Sequence, residues 1–182
     1  MASIGLKYLK YSKMDANGKY TGAKVLGKAI ETKVVPSIAE AKLYADDTIA
    51  ESAKIVTGGT VDLKIDEAED ATVAEILGHE LDAETKEMIR NANDVAPYVG
   101  VGRIITKIVN NVQKFKAEFV LKVQFKDSLP EEKTKGDKIE FSTPSLSGDF
   151  FTLTNGDWSK TATFDTLEEA QAYLDNLMKI VA

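Results

Sequence analysis

Phe115-Lys116-Ala117-Glu118-Phe119-Val120-Leu121-Lys122-Val123-Gln124-Phe125 is the stretch whose reading decides the fold. Its odd positions are Phe, Ala, Phe, Leu, Val and Phe, and its even positions are Lys, Glu, Val, Lys and Gln, with Val120 the single apolar exception. Period-2 alternation of this kind predicts a strand with one buried face. At roughly 3.3 Å per residue the run reaches about 35 Å, twice an ordinary strand, so it has to be central. A charged segment from Pro130 to Asp137 follows, and then Ile139, Phe141 and Thr143 predict one face of a second strand that Pro144 stops.

Working outward, Val61, Leu63 and Ile65 alternate strictly after Gly58-Gly59 and predict another strand. Near the N-terminus, Ile4 to Tyr11 runs toward Asn17-Gly18, a dipeptide that accepts the positive φ of a type I′ turn, and predicts a hairpin returning through Tyr20 to Leu26. Ala96 to Thr106 and Phe150 to Thr154 read as further strands. Asn155-Gly156 turns the latter into a return strand with Trp158, Ala162 and Phe164 on one face. Residues 29–56 are poor in large apolar side chains for their length. Ile30, Thr32 and Val34 share one face there, Ala39, Ala41 and Leu43 form a small series, and Ala45-Asp46-Asp47 reads as a turn. That segment predicts a long hairpin projecting from the core, with Pro36 at an edge or a bend. Two helices are expected. Thr72-x-x-Glu75 resembles a capping box with Gly78 as C-cap, and Thr166-x-x-Glu169 opens a helix over 166–181 with Leu167, Ala170, Leu174, Leu177 and Val181 at spacings of three and four. About ten short strands with no βαβ alternation predict a mainly β chain with minor α, a single-domain antiparallel sandwich or barrel flanked by helices.

The 182 residues are 43% hydrophobic, enough for one substantial core and short for two domains. A net charge of −6 and a pI near 5.0 argue against a surface that grips phosphate backbones. The chain has no cysteine and no Asn-x-Ser/Thr site, so disulfides and zinc ribbons are excluded and the composition fits a reducing cytoplasm. No signal peptide and no membrane span of about 20 apolar residues is read. Charge is uneven: residues 62–87 hold ten acidic side chains against Lys64 and Lys86, and residues 103–126 hold six basic ones against Glu118. Solvated faces of opposite sign account for that, and so does a head-to-tail contact between copies.

Catalytic constellations are scarce. His79 is the only histidine, and with no cysteine a metal there would need carboxylates to complete it, so a loop or capping role is expected. Gly100-Val101-Gly102 fails as a dinucleotide loop, because Ile105 stands where the third glycine belongs. Asp15-Ala16-Asn17-Gly18 lacks the length of a calcium loop. The carboxylates of Asp62 to Asp70 could hold a divalent cation only weakly, and Asp46-Asp47 and Glu131-Glu132 have no pocket-forming aromatics beside them. Trp158 on a strand face reads as core before it reads as a sugar platform. No enzyme activity, cofactor or metal is expected. A carbohydrate-binding or adhesion β-sandwich is the alternative to a structural role.

Several segments, in order, resemble a known family. They are Val35-Pro36-Ser37-Ile38-Ala39, Leu43-Tyr44-Ala45-Asp46-Asp47, Gly58-Gly59-Thr60-Val61, Leu77-Gly78 and Asn93-Asp94-Val95-Ala96-Pro97-Tyr98-Val99-Gly100-Val101-Gly102. Lys122-Val123-Gln124-Phe125, Thr134-Lys135-Gly136-Asp137, Ile139-Glu140-Phe141-Ser142-Thr143-Pro144 and Gly148 continue the series. Together, from about Ile4 to Met178, they resemble the major tail proteins of long-tailed phages and prophages of Gram-positive bacteria. The resemblance implies a β-sandwich tail-tube subunit, made in the host cytoplasm and placed in the virion tail. Homohexameric rings of it stack into a tube whose acidic lumen passes DNA without tight binding. Tail-tip, tape-measure and tail-terminator proteins are the implied partners, with no membrane involved. On this reading the subunit-interface candidates are Glu31, Lys33, Val35, Ile38, Lys42, Tyr44, Asp46, Asp47 and Glu51 in the hairpin. Glu131, Glu132, Lys133, Lys135 and Asp137 are the candidates in the stacking loop.

Overall fold

The central strand exists and is longer than its alternation, and its two faces are buried against different things. In a computed structural model that describes residues 2–45, 48–127 and 143–179, the elements are β1 (Ala2–Lys13), β2 (Lys24–Val25), β3 (Ala29–Ala45), β4 (Thr48–Ile65), α1 (Asp70–Leu77), β5 (Glu80–Leu81), β6 (Met88–Ile89), β7 (Val99–Val109), β8 (Val112–Lys126), β9 (Ser145–Phe150), β10 (Ser159–Phe164) and α2 (Leu167–Leu177). Every pairing among them is antiparallel. The main sheet runs β2-β1-β7-β8-β9-β4-β3, with β10 also on β8, and β5-β6 form a small separate ribbon. Among the described residues the chain is therefore mainly β and antiparallel with two helices.

Val120, the exception in the alternation, marks the place where β8 changes face. Val101 stands opposite Val120 and Val99 opposite Val123, so Leu121 and Lys122 together face Gly100 in a β-bulge. Before the bulge the odd residues Ala117 and Phe119 enter a core with Leu121, Ile104 and, from α2, Ala170, Leu174 and Met178. After it the odd residues Val123 and Phe125 enter the other core, with Val120, Leu9, Tyr11, Val61, Leu63, Ile65, Val99, Val101 and Phe150. The expectation of a single buried face is corrected accordingly. Gly100 makes the bulge possible: a Cβ there would stand 2.3 Å from the Phe119 ring and 2.7 Å from that of Tyr20. The core around Phe125 is lined by β1, β7 and β8 from one half of the sheet and by β4 and β9 from the other, so this is one sheet curled around a core.

Local signals fare unevenly. Val61, Leu63 and Ile65 are all buried, and the Thr166–Glu169 capping box forms as its spacing predicts. The helix it opens ends at Leu177, with Met178 as C-cap, and Val181 lies outside the described residues. Thr72–Glu75 forms no box: α1 starts at Asp70, three residues earlier than that box requires, and its N-cap Glu69 makes no side-chain cap, while Gly78 does close the helix in the left-handed region. Glu75 instead accepts hydrogen bonds from the Tyr11 hydroxyl at 2.6 Å and Lys24 Nζ at 2.7 Å. Asn17-Gly18 is not a type I′ turn, since only Gly18 has positive φ. Asp15 Oδ1 accepts from the backbone N–H of Asn17 and Lys19, and the returning strand shrinks to the bridge Met14–Tyr20 and β2. Trp158 turns away from the Ala162–Phe164 face to stack on Phe150, with centroids 4.9 Å apart. The strand expected over Ile139 and Phe141 lies outside the described residues, and β9 begins after Pro144.

Candidate assembly surfaces

The sheet forks at β9. Phe150 stands opposite Val123 of β8 on one side and Gly59 of β4 on the other, so at that level the three strands lie side by side. Upstream of Val123 the flank of β8 is taken by β10, where Ser159 to Phe164 pair with Val120 to Phe115. Upstream of Gly59, β4 has only β3 beside it among the described residues. Because β4 and β8 are both antiparallel to β9, the two limbs leave the fork in the same direction. One limb is β1-β7-β8-β10 with α2 laid on it. The other is the bare ribbon of β3 and β4.

That ribbon is the projecting hairpin expected over 29–56, and its pairing continues through Ala45–Thr48. Beyond Pro36 its strands extend about 33 Å at the usual rise. From Val35 to Lys42 every residue is exposed, as is every residue from Ser52 to Ile55, so both faces meet solvent. Pro36 sits on the edge strand, opposite Gly59, the kind of position where a residue without an N–H is tolerated. Past a bulge between Ser37 and Ile38 the two faces differ in kind. Ala39 faces Ile55 and Ala41 faces Ala53, a small apolar strip with Ile55 65% exposed. The opposite face carries Glu40, Lys42 and Lys54, with Glu40 Oε1 at 3.3 Å from Lys42 Nζ and 3.6 Å from Lys54 Nζ.

The root of the ribbon is locked. A Cβ on Gly59 would stand 2.2 Å from the Val35 carbonyl oxygen and 2.4 Å from the Phe150 ring, so the strands meet the body at backbone contact. Arg103 of β7 donates through Nε at 2.8 Å and Nη2 at 2.6 Å to Glu118 Oε2 of β8, and both side chains are 11% exposed. Its Nη1 also donates to Thr32 Oγ1 of β3, so one guanidinium ties the two limbs together.

Of the expected interface residues, Glu31, Lys33, Val35, Ile38 and Lys42 are all exposed on the ribbon or its root. Glu31 pairs with Lys64 at 3.0 Å, and Ile38 is 57% exposed. Tyr44 stands opposite Ile49 and Glu51 opposite Leu43 in the backbone ladder. Asp46, Asp47, Glu131, Glu132, Lys133, Lys135 and Asp137 lie outside the described residues. The Ala39–Ala41–Ala53–Ile55 strip and the Arg103–Glu118–Thr32 link were not among those residues. Alternation of alanines in both strands signals the first, whereas nothing local signals the second.

Charge is less segregated in space than along the chain. Of the six basic residues in 103–126, Arg103 pairs with Glu118, Lys114 with Asp165 and Lys126 with Asp149, while Lys122 Nζ sits 4.1 Å from the Tyr98 ring centre. Four of six are thus engaged within the chain. On the acidic side Glu67, Glu69, Asp70, Glu80, Glu84 and Glu87 are exposed. Asp62 accepts from the Ser147 hydroxyl and Asp66 pairs with Lys28, so these carboxylates do not converge on a common point. No helix among the described residues is long and apolar enough to cross a membrane. Comparison with protein-family models and with curated proteins finds no match.

Proposed function

We propose that this chain is a structural, self-assembling subunit of a phage-type tail tube, in which copies form rings that stack around a passage for DNA. The observation that carries the reading is the bare ribbon of β3 and β4. A two-stranded hairpin in water is at best marginally stable, and one about 33 Å long whose side chains are exposed from Val35 to Lys42 and from Ser52 to Ile55 gains its order from something packed on it. A neighbouring copy supplies that surface in a ring or a stack. The solvent-facing carboxylates from Glu67 to Glu87 fit a protein that has to let phosphate backbones pass without holding them. The alternative, a carbohydrate-binding module, has weak support because the only tryptophan is stacked on Phe150.

Negative-stain electron microscopy of the purified protein across a concentration series tests the proposal. Rings of about six subunits, or tubes built from them, are the expected result. A species that stays monomeric at the highest concentration, both alone and when seeded with preformed tail-tip complexes, overturns it.

A further inference from the structure

The two limbs of the fork turn basic faces toward each other. Val101 and Val120 stand opposite one another in the core at the fork, and along that same face the next pairs outward are Arg103 with Glu118, Ile105 with Lys116 and Lys107 with Lys114. On the other limb Val56 packs on that core, and alternation carries its face through Lys54, with Glu40 opposite. The hydrogen bond from Arg103 to Thr32 shows that these two faces look at each other. Arg103 is neutralised by Glu118 and Lys114 by Asp165, while Glu40 offsets one of Lys42 and Lys54. Lys107 and Lys116 are half-buried, and their side chains make no hydrogen bond or ion pair among the described residues. A chain of net charge −6 has thus gathered unpaired cations in its fork.

The far end of β8 carries the opposite sign. His79, in the turn after α1, stands 3.3 Å from Asp127 just past the end of β8, and the chain runs from it straight into the small β5-β6 ribbon. There Glu80, Glu84 and Glu87 are exposed, and Lys86 is the one cation between Glu80 and Ile89. Asp82 Oδ1 closes the turn by accepting from the N–H groups of Glu84 at 2.7 Å and Thr85 at 3.1 Å. From Lys116 to Asp127 the strand covers about 36 Å at the usual rise, so fork and ribbon cannot meet within one chain. We propose that the basic fork of one copy receives the acidic β5-β6 ribbon of the next, with Lys107 and Lys116 meeting Glu80, Glu84 and Glu87. The inference rests on the self-assembly reading and adds to it which faces meet. Complementary charge selects the occupant, and different patches at opposite ends of one strand make a heterologous contact that repeats from copy to copy. Glu67, Glu69 and Asp70 stay in solvent. DNA is the competing occupant of a basic cleft, and the net charge of −6 opposes it.

Exchanging the signs of the two faces tests this. Lys107→Glu with Lys116→Glu, or Glu80→Lys with Glu84→Lys, puts like charges in the contact. Each pair should raise the concentration needed for assembly at least about tenfold, read by sedimentation at about 0.05 M salt. All four changes in one chain restore the contact with its signs exchanged and should return assembly to near the wild-type concentration, as should an equal mixture of the two double variants. Thermal unfolding checks that each variant folds. If reversing the half-buried lysines unfolds the chain, Lys107→Gln with Lys116→Gln added to the glutamate pair serves instead, because removing the repulsion should recover part of the loss. Double variants that assemble like the wild type overturn the proposal, and so does a combined variant no better than either double. In both cases wild-type rings or tubes leave the tail-tube reading standing, whereas a wild type that never assembles defeats both. Duplex DNA that binds the wild type and not Lys107→Glu with Lys116→Glu, with no rescue of assembly, gives the fork to nucleic acid and also overturns the proposal.

Discussion

The two limbs of the forked sheet are both long antiparallel hairpins, and only one of them has a core. On β7 and β8 the outward residues Ile104, Ala117 and Phe119 are fully buried, because α2 lies on them with Ala170, Leu174 and Met178. On β3 and β4 the corresponding span offers Ala39, Ala41, Ala53 and Ile55 on one face and Glu40, Lys42 and Lys54 on the other, and no element among the described residues covers either. Strand pairing alone does not explain the difference, since both ladders run nearly the full length of their strands and both are interrupted by bulges. What separates them is side-chain volume at the alternating positions, which decides whether a hairpin closes on its own helix or stays open for something else. A long edge strand is also an aggregation hazard, and β3 carries the customary protection of Pro36 and exposed Lys33 and Lys42.

The largest effect is expected where the covered limb is densest. Phe119→Ala removes a fully buried ring between Tyr20 and α2 and should cost about 3–5 kcal/mol in chemical denaturation. A loss under about 1 kcal/mol would mean that α2 contributes little and that the limbs differ less than their packing indicates.

Next comes the link between the limbs. Arg103→Met leaves Glu118 with its bidentate partner gone in a site 11% exposed, and should destabilise by about 3 kcal/mol. Arg103→Met combined with Glu118→Leu should recover most of that, because an apolar pair replaces an ion pair without leaving an orphan charge. If the double variant is no more stable than the single one, Thr32 and the seating of β3 matter more than the charge, and hydrogen exchange at the ribbon root should then rise.

A smaller and pH-dependent term belongs to the body that carries both limbs. Burial alone would raise the Glu75 carboxyl, but hydrogen bonds from Lys24 and Tyr11 outweigh it, and the folded-state pKa is lowered. A depressed carboxyl adds stability above its unfolded-state pKa and loses it as pH falls through the folded value. Glu75→Gln should therefore cost about 1.5 kcal/mol at neutral pH. The gap to wild type should close on acidification. A gap that persists at pH 3 would assign the effect to packing instead of charge.

How legible this contrast is in the sequence depends on how local its causes are. The alternation at Val61, Leu63 and Ile65, the three-and-four spacing of α2 with its capping box, and the poverty of large apolar residues over 29–56 are properties of short windows, and each leads to the observed element. The bulge at Leu121-Lys122 is different, because it depends on the Phe119 ring crossing Gly100 from a neighbouring strand. Glu75 abandons a capping role because Tyr11 and Lys24 reach it from the N-terminal strands. The Asn17-Gly18 turn changes type because Asp15 claims its N–H groups. For the candidate surfaces, exposure and composition of the ribbon are local and legible, whereas the Arg103–Glu118–Thr32 link requires strands 71 residues apart to be brought together.

The smallest effect on unfolding, and the sharpest test of the contrast, lies on the bare ribbon. Ala41→Glu and Ile55→Asp place charges on side chains that meet only solvent in the isolated chain, so each should change stability by no more than about 0.5 kcal/mol. If the apolar strip packs on another copy, both should abolish rings or tubes in electron microscopy, because a charge buried without a partner opposes association. Glu40→Gln and Lys42→Gln, on the opposite face, should leave assembly largely intact. The reverse pattern would mean that the ion cluster is the docking face, and the alanine strip would then owe its composition to the ribbon's own twist. Equal indifference of both faces would remove the ribbon from assembly altogether, leaving two limbs that differ in packing and not in purpose.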